Sequence, residues 1–474
     1  MGELGTTQDP LRVAIVGSGP SGFYAAGHLL KSKSHPDLVA LVDIYDRLPT
    51  PWGLVRGGVA PDHPNIKAVS RVYEKTAAHP EFRFFGNVDY GTDLTHDDLL
   101  ERYHAVIYAV GAQTDRRMGI PGEDLPGSWA ATEFVAWYNG HPEFRDLQFD
   151  LSGERAVVIG NGNVAADVAR MLALSRDELA ATDVADHALD VLAESNIREI
   201  VVLGRRGPAQ AAFTNPELLE LGEMTEADVF VDARDSQVDP LSRTWLESEE
   251  ASTTRRKNVD ILSGYAARES AGKRRRIVLR FLVSPLEILG AERVEGIRIC
   301  RNELRDQDGS LRACSTETTE ELDCGIVFRS IGYRGIPLPG LPFDERGAVI
   351  PNQGGRITGE DGAPVRGEYA VGWIKRGPTG IIGTNKRDAQ ETVDAVLADL
   401  DAGALNQPAD PHRDSLESLL RERKPEHVTY SGWEAIDSVE KTAGEPHGRP
   451  RVKLTSFDDL LEAAHEGEPA ARSR

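Results

Sequence analysis

Residues 156–170 read AVVIGNGNVAADVAR: an apolar strand, a glycine turn, then a helix. A similar turn stands at 13–24, VAIVGSGPSGFY. In this earlier turn Gly17, Gly19 and Gly22 form Gly-x-Gly-x-x-Gly directly after a strand. The first glycine permits the tight turn, the second lets backbone approach a pyrophosphate, and the third lets helix pack on strand. The helix N-terminus then offers unpaired N–H groups and a positive dipole end to phosphate. The next strand, VALVDIYD, ends in Asp46, 24 residues after Gly22. A carboxylate there can accept hydrogen bonds from ribose hydroxyls.

The later turn is Gly160, Gly162 and Ala165, the Gly-x-Gly-x-x-Ala variant. Its next strand, VVLGRR, ends in Arg205 and Arg206 instead of an acid. Arginines at that position suit a 2′-phosphate through charge-assisted, often bidentate bonds, so this module prefers NADPH to NADH. Arg205 lies 43 residues after Gly162, about twice the usual interval, which a helical insertion at 175–197 would explain. An acid-tipped site and an arginine-tipped site in one chain point to a flavin dinucleotide and NADPH. Hydride would then pass from nicotinamide to flavin.

The 474 residues suit two or three domains. With 54 Lys+Arg against 76 Asp+Glu the net charge is −22, which argues against nucleic-acid binding. No run of 18 apolar residues is present, so no membrane span is expected, and the polar start MGELGTTQDP does not resemble a signal peptide. Cys300, Cys314 and Cys324 are far apart with no Cys-x-x-Cys, which excludes a conventional iron–sulfur ligand set and a redox dithiol of that type within the chain. A cytoplasmic protein is the expectation.

The pattern along the chain predicts an α/β fold with two Rossmann-like, doubly wound dinucleotide-binding domains. Residues 1–10 read as a disordered tail, 11–114 as the first part of an FAD-binding domain and 115–335 as an NADP-binding domain inserted into it. Residues 336–474 then complete the FAD domain and add a C-terminal helical tail. LPTPWGLVRGGVAPDHPNIK (48–67) is a long, ordered and therefore functional loop. Residues 274–290 and 293–304 alternate like a pair of antiparallel strands. A helix beginning in GPTGIIGTNKRDAQ takes Thr384 or Asn385 as its N-cap.

LPTPWGLVRGGVAPDHPNIK, FRFFGNV (82–88), the 155–170 turn, GRRGP (204–208) and GWIKRGPTGIIGTNK (372–386) together resemble the adrenodoxin-reductase-like ferredoxin–NADP⁺ reductases, including the bacterial FprA type. The resemblance runs in order from about residue 12 to 400, and AGEPHGRPRVKL (443–454) extends it. It implies that Ser21 and the surrounding glycines face FAD phosphates and that Asp46 holds the adenosine ribose, where many relatives carry glutamate. Leu54, Val88, Trp373, Gly380, Ile381 and Ile382 would be further FAD contacts, with Gly380 also near the nicotinamide. Asn161, Gly162, Asn163 and Val164 would hold the NADP pyrophosphate, Arg205 and Arg206 its 2′-phosphate, with Arg116 and Glu217 as further contacts. His63 and Glu220 would be an active-site pair, spanning the domains and orienting nicotinamide on flavin. No metal site is implied.

The same resemblance supplies the electron acceptor, a ferredoxin-type iron–sulfur protein reduced by single electrons. Such partners are usually acidic, so a basic patch must override the chain's own negative charge. Arg255, Arg256, Lys257, Lys273, Arg274 and Arg275 are the candidates, and the family favours a monomer. Two other readings stay open at this stage. One is an NADPH dehydrogenase serving a quinone or another small acceptor, and the other is a non-catalytic NADPH-sensing protein.

Overall fold

The computed structural model describes residues 4–466. They separate into two compact units. One holds the described residues up to Val59, then His63–Thr114 and those from Tyr333 onward; the other holds Ala60–Asp62 and Asp115–Gly332.

The first unit is built on a sheet with strand order Asn352–Gln353, Arg356–Thr358, Pro364–Ala370, Ala105–Tyr108, Leu11–Val16, Ala40–Tyr45 and Phe82–Phe85. The five strands from Pro364–Ala370 to Phe82–Phe85 are mutually parallel, as doubly wound sheets require. Strand Leu11–Val16 has neighbours reached by opposite crossovers, and ligands bind outside the carboxyl end of such a strand. Its side chains alternate between two cores. Val13 and Ile15 pack with Phe23, Ala26, Val393 and Val396, while Ala14 and Val16 pack with Leu99, Leu416 and Leu420. The last strand is followed by helix Ile382–Asp401, which packs against helix Pro20–Leu30.

The second unit carries a parallel sheet with order Ser128–Ala130, Ile326–Arg329, Arg155–Ile159, Glu199–Gly204, Arg275–Phe281 and Ala227–Val231. Ala156 and Val158 face helix Asn163–Ala173. Val157 and Ile159 face Val283, Ile297 and Ile299 of an antiparallel sheet formed by Val283–Leu289, Gly296–Gln307 and Ser310–Asp323.

Two elements differ from the sequence-based expectation. Residues 274–290 are two strands: Arg275–Phe281 joins the parallel sheet, and only Val283–Leu289 is antiparallel. Leu282, at φ 54°, turns the chain between them, a conformation that apolar periodicity does not reveal. Residues 4–10, expected within a disordered tail, are held to the first unit. Leu4 packs on its core, and the Gly5 carbonyl accepts the Val39 N–H at 2.8 Å. Residues 1–3 lie outside the described residues. The C-terminal segment, expected as a helical tail, forms helices Arg413–Arg423, Tyr430–Gly444 and Phe457–Glu466, with Trp433, Ile436 and Leu460 in the core.

Candidate functional site

In the first unit, the turn after Leu11–Val16 is shaped by contacts that only glycine allows. Gly17 has φ 108°, and a Cβ on it would lie 2.6 Å from the Ala109 carbonyl oxygen. A Cβ on Gly22 would strike the Gly17 carbonyl oxygen, whereas one on Gly19 would meet nothing within 4 Å. Gly19 is the N-cap of helix Pro20–Leu30 and has no side-chain cap, so that helix start opens onto free space. The cradle therefore fits a dinucleotide pyrophosphate.

Asp46 stands at the next strand end, where the sequence places it. Its Oδ2 accepts the Ser18 N–H at 2.8 Å and the Ser18 hydroxyl at 2.5 Å, and its Oδ1 accepts the Leu48 N–H at 3.0 Å. Burial raises the carboxyl above its ordinary value, against these hydrogen bonds, which favour the charged form. A carboxylate has about four acceptor positions, so capacity for a ribose hydroxyl remains.

The loop after Asp46 is tied to the same turn. Trp52 N–H donates to the Ser18 carbonyl at 2.9 Å, and Val88 N–H donates to the Asp46 carbonyl at 2.9 Å. These two bonds bring Leu54, 37% exposed, and the buried Val88 to the turn. Ser21 sits against Gly372, where a Cβ would collide with its hydroxyl. Trp373 follows, its ring 5.1 Å from that of Tyr333 and its buried Nε1 without a hydrogen-bond acceptor. Gly380 has φ 83°. Helix Ile382–Asp401 starts earlier than expected, with Ile381 as N-cap, because the Thr384 hydroxyl reaches back to the Ile381 N–H at 3.2 Å. Ile381 itself is 61% exposed. His63, also in this unit, is buried and precedes helix Pro64–Lys67.

Sequence reasoning missed what secures the loop. Glu440, buried in helix Tyr430–Gly444, takes Arg56 Nη2 at 2.5 Å and Nη1 at 2.8 Å, Arg451 Nη1 at 2.9 Å and the Leu454 N–H at 2.9 Å. Arg56 lies in Leu54–Gly57, so the C-terminal segment fastens this part of the loop. Burial opposes the Glu440 charge, but Arg56 and Arg451 prevail and hold its carboxyl below the ordinary range.

In the second unit the turn after Arg155–Ile159 repeats the design. Gly160 has φ 129°, and a Cβ on it would fall onto the Ser330 carbonyl oxygen. Gly162 caps helix Asn163–Ala173 and a Cβ on it would meet only Ala212, at 3.8 Å. Asn161 Nδ2 lies where it does because Gly204 has no Cβ, which would stand 2.5 Å away. That approach sets the glycine turn beside Arg205 and Arg206, despite their separation in sequence. Helices Arg176–Ala180 and Asp186–Ala193 occupy the intervening residues. Arg205 is exposed and Arg206 half-buried, and neither side chain enters a described hydrogen bond or ion pair. Burial, then the neighbouring Arg205, lowers the Arg206 pKa. Two guanidinium groups without counter-charge fit a 2′-phosphate.

Asn163 Oδ1 accepts the Thr214 N–H at 2.8 Å, which anchors the start of helix Asn215–Leu221. That helix carries Glu217 and Glu220. Both are drawn to Arg170, a buried residue that sequence reasoning missed: Nη1 lies 3.3 Å from Glu217 Oε2 and 3.6 Å from Glu220 Oε2. Arg170 also holds Asp167 at 2.9 Å and Asp62 at 2.6 Å. Burial disfavours its charge, but Asp62, Asp167 and Glu217 raise its pKa. Exposed Arg116 donates its N–H to the Gly332 carbonyl at 3.0 Å, at the end of the strand beside the glycine turn.

The six basic residues that are candidates for partner docking fall into two separate groups. Helix Thr253–Ala266 runs from the carboxyl edge of the sheet back to its amino edge, so Arg255, Arg256 and Lys257 lie at one end and Lys273, Arg274 and Arg275 at the other. Fourteen residues of helix separate the ends by about 21 Å. Arg275 is buried, donating to the carbonyls of Leu174 at 2.7 Å and Ile197 at 3.2 Å. Lys273 Nζ donates to the Met224 carbonyl at 2.5 Å. Arg256 holds the carbonyls of Leu246 and Ser248, each at 2.8 Å. Lys257 and Arg274 are exposed.

Known proteins similar to this chain identify its family. Residues 11–202 match the pyridine nucleotide-disulphide oxidoreductase family. The chain is 53% identical, over 95% of its length and 98% of the relative's, to NADPH-ferredoxin reductase FprA of Mycobacterium tuberculosis. It is 43% identical to the mitochondrial NADPH:adrenodoxin oxidoreductase of Salvelinus fontinalis, over 96% of this chain and 91% of that one. The solved structure of M. tuberculosis FprA in complex with NADPH superimposes with a TM-score of 0.88 at 53% identity, covering 96% of this chain and all of that one. Among the described residues no helix is long and apolar enough to cross a membrane. The chain belongs to the adrenodoxin-reductase-like ferredoxin–NADP⁺ reductase family, of the bacterial FprA type.

Proposed function

We propose that this chain is an FAD-dependent ferredoxin–NADP⁺ reductase that takes hydride from NADPH and delivers single electrons to a ferredoxin-type iron–sulfur protein. The observation that carries the reading is the pairing of two unlike glycine cradles, one ending in Asp46 and the other in Arg205 and Arg206. Bound FAD supplies the conversion of a two-electron donor's hydride into single electrons.

The protein's own residues bind and orient. Gly17, Gly19, Ser21 and Gly22 would hold the FAD pyrophosphate, and Asp46 its ribose. Leu54, Val88, Trp373, Gly380, Ile381 and Ile382 would line the rest. The start of helix Ile382–Asp401 offers a positive end that favours negative charge on reduced flavin. Asn161 to Val164 would hold the NADP(H) pyrophosphate, and Arg205, Arg206 and Arg116 the adenosine end. Glu217 acts through Arg170, which fixes its carboxylate. His63 and Glu220 orient the nicotinamide, a role that needs geometry rather than proton transfer.

For the partner surface, Lys257 and Arg256 at one edge of the second unit are the best placed of the basic residues, and Arg275 is withdrawn because it is buried. A monomer completes the reading, and three free cysteines fit a reducing, cytoplasmic setting. Turnover with a ferredoxin against turnover with quinones tests it. Saturable ferredoxin reduction far above quinone reduction is expected; the reverse order would make the protein an NADPH dehydrogenase with a small acceptor.

A further inference from the structure

Arg255 is one of the basic residues that suit an acidic partner, but its surroundings differ from those of its neighbours. It lies in the first turn of helix Thr253–Ala266, and that turn is tied by hydrogen bonds to the second glycine cradle. Asn163 holds the Thr214 N–H at 2.8 Å. The adjacent Asn215 donates through Nδ2 to the Thr254 carbonyl at 2.9 Å and to Asn258 Oδ1 at 2.8 Å. Asn258 closes the chain by donating to the Phe213 carbonyl at 2.8 Å. The helix also packs on Pro208–Gln210, immediately after Arg205 and Arg206.

Within this frame the two adjacent arginines diverge, as consecutive residues on a helix must. Arg256 spends its guanidinium on the Leu246 and Ser248 carbonyls. Arg255 is half-buried, and its buried Nη1 donates to nothing. Its pKa is lowered by burial and then by Arg206, so the two cations lie within electrostatic reach of each other. No described ion pair or hydrogen bond engages the guanidinium group of Arg205, Arg206 or Arg255. Neighbouring, partly desolvated cations without described counter-charges are costly unless an anion joins them.

We propose that Arg255 is a third ligand of the nucleotide 2′-phosphate, completing a cluster with Arg205 and Arg206, and is therefore a determinant of NADPH specificity rather than of partner docking. This rests on the reading of the second unit as the NADP(H) site. The phosphate would take the donor that Nη1 leaves unused, and the half-buried setting would strengthen that bond relative to one made in open solvent.

The test is calorimetric binding of 2′,5′-ADP and of ADP, which lacks the 2′-phosphate, to the FAD-loaded protein. Wild type, Arg255→Ala, Arg255→Lys and Arg206→Ala would be compared, with thermal melts to verify folding. Wild type should bind 2′,5′-ADP more tightly than ADP. Arg255→Ala should weaken 2′,5′-ADP by about tenfold or more and leave ADP unchanged, as expected for one charged hydrogen bond. Arg255→Lys should recover part of that loss. If Arg206→Ala loses the preference while Arg255→Ala keeps it, or if Arg255→Ala weakens both ligands equally, the assignment of Arg255 is overturned. If wild type itself fails to distinguish the two ligands, the 2′-phosphate reading of the whole cluster falls.

Discussion

Asn161 Nδ2 occupies a position only 2.5 Å from where a Gly204 Cβ would stand, so the glycine of Gly-Arg-Arg-Gly makes room for the side chain that opens the second cradle. The atom in the way is the tip of a side chain, which can move. Gly204→Ala should therefore fold, with a melting temperature close to wild type, while displacing Asn161. The expected cost is about tenfold to hundredfold in kcat/KM for NADPH, the scale of an ångström-sized misplacement. Gly160→Ala is the contrast. There a Cβ meets the backbone oxygen of Ser330 at φ 129°, so loss of stability should dominate, by more than about 1–3 kcal/mol. Thermal melts and steady-state kinetics on the two variants separate these outcomes.

Glu440 links the C-terminal helices to the loop around Leu54. Removing a buried acid that faces two arginines leaves their charges uncompensated, so Glu440→Ala should cost about 3–5 kcal/mol. The folded pKa of Glu440 is depressed. Its contribution is therefore full above the unfolded carboxylate value of about 4.3 and is lost as pH falls through the lower folded value. Denaturant melts of wild type and Glu440→Gln across acidic pH should converge as pH falls, and equal differences at every pH would contradict this. The variant should also release FAD more readily, measured by flavin fluorescence in the filtrate.

Lys257 is exposed at the edge of the second unit and enters no described ion pair. In a chain of net charge −22, reversal of one well-placed cation should act on encounter with an acidic partner. Lys257→Glu should raise the KM for ferredoxin several-fold, more at low salt than at high salt, and leave NADPH-driven reduction of a small dye unchanged. Loss of both activities together would remove Lys257 from the docking surface.

The parts of this structure that are local in sequence were readable in it. Both glycine turns depend on spacing within about ten residues, and Asp46 and Arg205–Arg206 follow from strand ends. The acceptor and most residue roles came from the family resemblance. What could not be read depends on tertiary partners. Arg170 looks like any helical arginine until Asp62, Asp167 and Glu217 converge on it. Arg275 looks like part of a basic run, yet it is buried because the carbonyls of Leu174 and Ile197 need a donor. The strand Ser310–Asp323 did carry a signal, Asp308-Gly309 at φ 52° and 76°, but its polar, exposed residues hid the alternation. Thr384 suggested a helix start at itself, when its hydroxyl was capping one three residues earlier.

The central claim is that one chain joins an FAD site to an NADPH site. The most direct measurement is the visible spectrum of the purified protein, taken anaerobically before and after NADPH and again with NADH. A yellow protein whose flavin bleaches faster with NADPH than with NADH is the predicted result. A colourless protein, or a flavin that NADPH leaves oxidised, would contradict the account.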